Sequence, residues 1–180
     1  IVEVELAVEA GKTKPGAVEL DGGRVVAVLE QHAAGEAQVQ SLVERQVQAQ
    51  LQAAAAGYEV HAITGKTDHF DWLEGLGARQ CISRHDLHWG QRPLEKASWA
   101  GCIDSVGGDM LAGLTRVIEP WGSIACCGMA GGHGLHTTVF PLILRGVSLL
   151  GISSANCSIE TRRMLWDRLG GEWKPPHLDA

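Results

Sequence analysis

From residue 58 onward the chain alternates short apolar segments of strand type with segments whose apolar residues recur at helical spacing. That rhythm leaves few folds open. Tyr58–Thr64 (YEVHAIT) reads as a strand, and Asp68–Leu76 sets Phe70, Leu73 and Leu76 on one helical face before Gly77 stops it. Arg79–Ser83 is a short strand, His85–Ser98 a polar loop with tryptophan and proline, and Gly101–Val106 a strand. Asp109 is expected to cap a helix bearing Met110, Leu111, Leu114, Val117 and Ile118, which Pro120 ends. Gly122–Cys127 and Val147–Ile152 are further strands; Pro141–Arg145 and Ile159–Leu169 are helices. The strands are apolar throughout, as in a sheet covered on both faces. The expectation is an α/β fold, a Rossmann-like doubly wound parallel sheet.

Upstream, Ile1–Val8 alternates with period two, and Ala17–Leu20 and Arg24–Leu29 flank Asp21-Gly22-Gly23, the pattern of a hairpin or a strand–turn–strand. Glu36–Ala56 reads as a helix, with Val39, Leu42, Val43, Val47 and Leu51 on one face and Gly57 as its stop. Residues 1–50 are taken as a divergent segment packed on the same domain, and 51–180 as the Rossmann-like domain.

A net charge of −6 argues against nucleic acid or an anionic membrane as the main partner. No run reaches the roughly 18 apolar residues of a membrane helix, and the start lacks the pattern of a signal peptide. The sequence does not begin with Met, so a piece of a longer chain is expected. Five cysteines without framework spacing point to a reducing, cytoplasmic setting.

Ligands of open parallel sheets bind beyond the carboxyl ends of the strands. Small residues recur there: Thr64-Gly65-Lys66-Thr67, Ser83-Arg84, Val106-Gly107-Gly108, Gly128-Met129-Ala130-Gly131-Gly132 and Ser153-Ser154. Glycines would let a flat ligand approach the backbone, although such loops also use glycine and serine merely as helix caps. An acid at the end of the second strand would favour NAD, whereas basic residues accommodate the extra phosphate of NADP. Lys66 stands there with Arg84 one strand over, so NADPH is expected over NADH.

Other constellations are weaker. His85 and His88 with Cys81, Cys102 or Cys157 fit no tetrahedral metal spacing, and no metal is expected. Cys126-Cys127 reads as small buried hydrophobes rather than a redox pair. His133 and His136 lie near the presumed cleft, where solvated loop histidines are the plainer reading. Trp72 and Trp166 are expected to pack helices onto the sheet.

The blocks GYEVHAITGKTDHFDWLEGLGA, RPLEKASWAGCIDSVGGDMLA, GSIACCGMAGG, TTVFPLILRGVSLLGISS and ETRRMLWDRL form one pattern from about Gly57 onward. It resembles the acrylyl-CoA reductase branch of zinc-independent quinone oxidoreductases, within the medium-chain dehydrogenase/reductase superfamily. The resemblance implies a domain that binds NADPH. Thr64, Gly65, Lys66 and Arg84 would lie near the adenosine 2′-phosphate; Val106, Gly107, Cys127, Gly128, Met129 and Ala130 would line the nicotinamide and ribose side. It further implies reduction of an activated C=C bond in a small-molecule substrate, such as acryloyl-CoA or an enone, and a homodimer through the Val147–Ile152 edge strand.

The family's glycine-rich phosphate turn has no clear counterpart. Counting back from Gly57, its place holds Val39–Val47 without a glycine; if Arg24–Leu29 is the first strand, the turn Glu30–Gly35 has one. Residues 1–50 do not resemble the family's catalytic domain, so no catalytic residue is assigned. The rival reading is a Rossmann-like interaction or dimerisation module without activity.

Overall fold

The computed structural model describes residues 24–29, 58–153, 155–171 and 174. Six strands, β1 (Arg24–Leu29), β2 (Glu59–Thr64), β3 (Gln80–Ser83), β4 (Trp99–Asp104), β5 (Ile118–Cys126) and β6 (Ser148–Gly151), form one sheet in the order β3-β2-β1-β4-β5-β6. Every pairing is parallel. The described helices are α1 (Phe70–Gly75), α2 (Gly108–Val117), α3 (Phe140–Leu144) and α4 (Ile159–Gly170). This order reverses direction between β1 and β4, which opens a crevice at their carboxyl ends.

β1 lies at the centre, with Ala27 opposite Ala62 of β2 and Ile103 of β4. Both of its edges are therefore occupied. Residues 17–20, the Ile1–Val8 strand and the Glu36–Ala56 helix lie outside the described residues.

β2 is buried from Val60 to Thr64 because it is covered on both faces. Side chains alternate across a strand, so Ile63 joins the cluster of Met110, Leu111, Leu114 and Val117 from α2, while Ala62 joins Leu73 of α1 and Ala78. These are the two helical layers of a doubly wound sheet.

Three local expectations are corrected. Asp109 does not cap α2: the N-cap is Gly107 and Asp109 lies in the first turn, because two glycines with positive φ turn the chain sharply from β4 into the helix. Ile118 already belongs to β5, which runs through Pro120 before Gly122. Trp72 and Trp166 do not pack on the sheet, being 47% and 64% exposed. Leu73 and Leu165, one position away from each on its helix, take the buried places instead.

The polar loop before β4 opens with a 3-10 turn at Arg84–Asp86 and then closes over the outer side of α2. Trp89 lies against Gly113, where a methyl group would come within 2.2 Å of the indole, and meets Trp99 edge-on at 6.1 Å. Glu95 accepts from Arg92 N (2.9 Å), Nε (3.0 Å) and Nη2 (2.6 Å). Arg145 Nη1 donates to the carbonyls of Arg116 (2.9 Å) and Ile118 (3.1 Å), and its Nη2 to that of Glu95. With Glu95 N donating to Arg116 O and Ser98 N to Val117 O, the last two carbonyls of α2 are satisfied by tertiary partners rather than by a local cap. The RPLEK and ILRG blocks are thus accounted for by one scaffold.

Candidate functional site

Register brings the first candidate group together. Thr64 is paired with Ser83, so the loops that begin at Gly65 and Arg84 leave the sheet side by side. Thr64 is buried and its hydroxyl accepts from Lys66 N at 3.2 Å, which bends the chain outward. Ser83 accepts from His85 N and starts the 3-10 turn that carries Arg84. The Arg84 guanidinium lies over Gly65: a methyl group there would sit 2.7 Å from Nε. Lys66 is exposed and Arg84 half-buried, so two cations stand at the carboxyl edge with a glycine beneath one of them.

The second group, Val106, Gly107, Cys127, Gly128, Met129 and Ala130, lies at the ends of β4 and β5. The two loops are joined backbone to backbone. Ala130 N donates to Ser105 O (3.3 Å) and Gly131 N to Val106 O (2.7 Å), and Gly107 bridges Gly132. A methyl group on Gly107 would meet Gly132 O at 2.5 Å, and one on Gly128 would meet Ser105 O at 2.3 Å. Those two glycines are therefore required by the packing of loop on loop, without any ligand. Cys127, Gly128 and Met129 remain exposed at the rim.

At the root of both loops lies Asp104, which the strand pattern passed over. It is fully buried. Its Oδ1 accepts from Val106 N (3.2 Å) and its Oδ2 from Gly107 N (2.9 Å). Burial pushes its carboxyl above the usual carboxylate range, opposed by those two N–H groups. The signal in sequence was an acid inside the apolar run GCIDSV, where a charge is found only when bonded.

Burial raises the thiols of Cys81, Cys102, Cys126 and Cys127. Desolvation, with the Asp104 carboxylate second, pushes Cys126 up to about 12 and holds Cys102 well above the ordinary thiol range. Cys127 departs from the buried pair that was expected: as a residue it is exposed, and it lies just past the strand. Its sulfur nevertheless turns onto Asp104 O at 3.4 Å, and desolvation raises its thiol too. None of the five cysteines is bridged. His85, His88, His133 and His136 are exposed, and among the described residues no group of three or more His, Cys, Asp or Glu is placed to hold a metal. Among them, too, no helix is long and apolar enough to cross a membrane.

A family model described as zinc-binding dehydrogenase matches residues 48–169, which include β2 to β6 and both loop groups. The chain belongs to that family. It is 45% identical to YhfP of Bacillus subtilis over 123 residues, 68% of this chain and 37% of that protein. It is 43% identical to acrylyl-CoA reductase AcuI of Ruegeria pomeroyi over 128 residues, 71% and 39% of the two chains. The crystal structure of Escherichia coli K-12 YhdH with bound NADPH superposes with a TM-score of 0.73 at 34% identity, over 93% of this chain and 47% of that one. The chain thus spans less than half the length of these relatives.

Proposed function

We propose that this chain is the coenzyme-binding domain of an NADPH-dependent oxidoreductase that reduces an activated C=C bond, of the acryloyl-CoA, enone or quinone type. The observation that carries the reading is the basic pair at the carboxyl edge: Lys66, and Arg84 seated over Gly65, with no acid at the end of β2. A phosphate on the adenosine ribose is met there by a fork and a point charge. The adenosine side fits the coenzyme because Gly65 leaves its upper surface to the guanidinium. Val106, Gly107, Ala130 and the exposed Cys127–Met129 rim would border the nicotinamide end. NADPH, when bound, supplies a hydride. The residues of this chain bind and orient it.

A titration of the purified chain with NADPH and NADH, followed by nicotinamide fluorescence, tests this reading. Saturable NADPH binding at least tenfold tighter than NADH is expected. No binding of either up to about millimolar, weaker than roughly −4 kcal/mol, would favour the second reading. That reading is a Rossmann-like module without coenzyme, and a specific observation supports it. β1 is the central strand, so the phosphate turn should follow at Glu30–Gly35, which has one glycine and starts with an acid.

The partner in either case is a second copy of the chain, paired along β6. β6 is an edge strand that carries Leu149 and Leu150 and neither a charge nor a proline to guard it. Exposed Ile143 and Leu144 of α3 lie next to it in the chain, and exposed Trp121 packs on Gly146 between them. Light scattering should give twice the monomer mass, and Leu150→Lys should halve it; a monomeric parent chain would rule the dimer out.

A further inference from the structure

We infer that Asp104 is the positioning residue that holds the β4 and β5 loops together as a single wall of the coenzyme cleft. Four donors converge on this one residue. The carboxylate takes the backbone N–H of Val106 and of Gly107. Its main-chain carbonyl takes Cys127 N at 2.8 Å and Cys127 Sγ at 3.4 Å. The first pair shapes the β4 loop and the second roots the β5 loop. The two loops then close on each other through Gly131 N to Val106 O and the Gly107–Gly132 bridge.

The chemistry explains why the residue is an aspartate. Gly107 has φ +69 and ψ −156, a conformation essentially confined to glycine, as the chain reverses into α2. The reversal turns two successive N–H groups, of Val106 and Gly107, inward onto a fully buried spot, where unpaired donors are costly. One short side chain must accept from both. A carboxylate has two acceptor oxygens; an asparagine would place an N–H₂ donor against one of them, and a serine has a single oxygen. Burying a charge is unfavourable, so a stretch of apolar strand would not carry one without such a task. Among the rim positions its hydrogen bonds reach Cys127, and it acts on the rim by fixing where the loops can stand.

The connection to coenzyme rests on the proposed function; the joining of the loops does not. Two readouts on the full chain therefore separate them: amide hydrogen exchange at Val106, Gly107, Cys127 and Gly131, and NADPH affinity by fluorescence titration well below the melting temperature. Asp104→Asn is compared with Leu165→Ala, a core change on α4 outside both loops. Asp104→Asn should speed exchange at Gly107 and Gly131 together by at least tenfold beyond Leu165→Ala, and weaken NADPH at least tenfold. Exchange and affinity equal to those of Leu165→Ala would overturn the inference. In the unmodified chain the Gly107 and Gly131 amides should open as one unit; protection factors more than tenfold apart would overturn it even if Asp104→Asn does not fold. Should the unmodified chain bind no NADPH, the coenzyme reading fails, and exchange alone decides whether Asp104 joins the loops.

Discussion

Replacing Lys66 and Arg84 together with alanine is expected to weaken NADPH binding about 100-fold and to leave NADH within about threefold. A hydrogen bond to a charged group contributes roughly 1.5–3 kcal/mol, and a tenfold change in affinity corresponds to about 1.4 kcal/mol. Two such contacts would give two to four decades; the lower end is chosen because Lys66 is exposed and screened by solvent. Parallel fluorescence titrations with the two coenzymes check it. The contrast between coenzymes is the diagnostic part, since NADH lacks the 2′-phosphate. Equal losses would mean that the pair maintains the loop rather than the phosphate. Gly65→Ala should act in the same direction through Arg84, whose Nε stands 2.7 Å from the added carbon.

The second large effect concerns stability. Gly107→Ala should destabilise the domain by about 3 kcal/mol, combining roughly 1–3 kcal/mol of backbone strain with an overlap that must be relieved. The overlap is with the Gly132 carbonyl at 2.5 Å, and backbone cannot move aside as a side-chain tip can. For a chain of this size the melting temperature should fall by about 6–12 °C. Gly75→Ala is the matched comparison: it lies in α1, with nothing within 4 Å of the added carbon, and should be neutral or stabilising by up to about 1 kcal/mol. Thermal melts of both variants decide it. A Gly107→Ala melt like that of Gly75→Ala would show that the two loops are not joined as described.

The same contact bears on how glycines in such loops are read. In sequence, Gly107 and Gly128 looked like places where a ligand approaches the backbone. In the fold both are filled by neighbouring carbonyls, so the requirement for glycine is met before any ligand arrives. Gly65 differs, because its nearest neighbour is a guanidinium that a bound phosphate could engage.

Periodicity was enough for the parallel α/β class and for most element positions from residue 58 onward, because both are local. A strand covered on each face is apolar throughout, as in VHAIT, and a helix on such a sheet repeats every three to four residues, as in Met110, Leu114 and Val117. The strand-end positions of Lys66 and Arg84 were also legible, since Thr64 and Ser83 close their strands in the sequence pattern. Exposure of single residues was less so: Trp72 and Leu73 are equally apolar neighbours, and a small difference in helical phase decides which one faces the sheet.

What only the tertiary structure decided is long-range. The six residues Arg24–Leu29 resemble any apolar strand, and their central place depends on partners more than thirty residues away on one side and more than seventy on the other. Lys66 and Arg84 are eighteen positions apart, and the pairing of Thr64 with Ser83 makes them neighbours. Asp104 looked like an interruption in a strand until its two oxygens were seen to meet two inward N–H groups. Local pattern records which face of an element is apolar. Which elements then lie side by side, and so which polar groups converge, is settled only when the sheet pairs and the backbone must satisfy its hydrogen bonds inside a closed core.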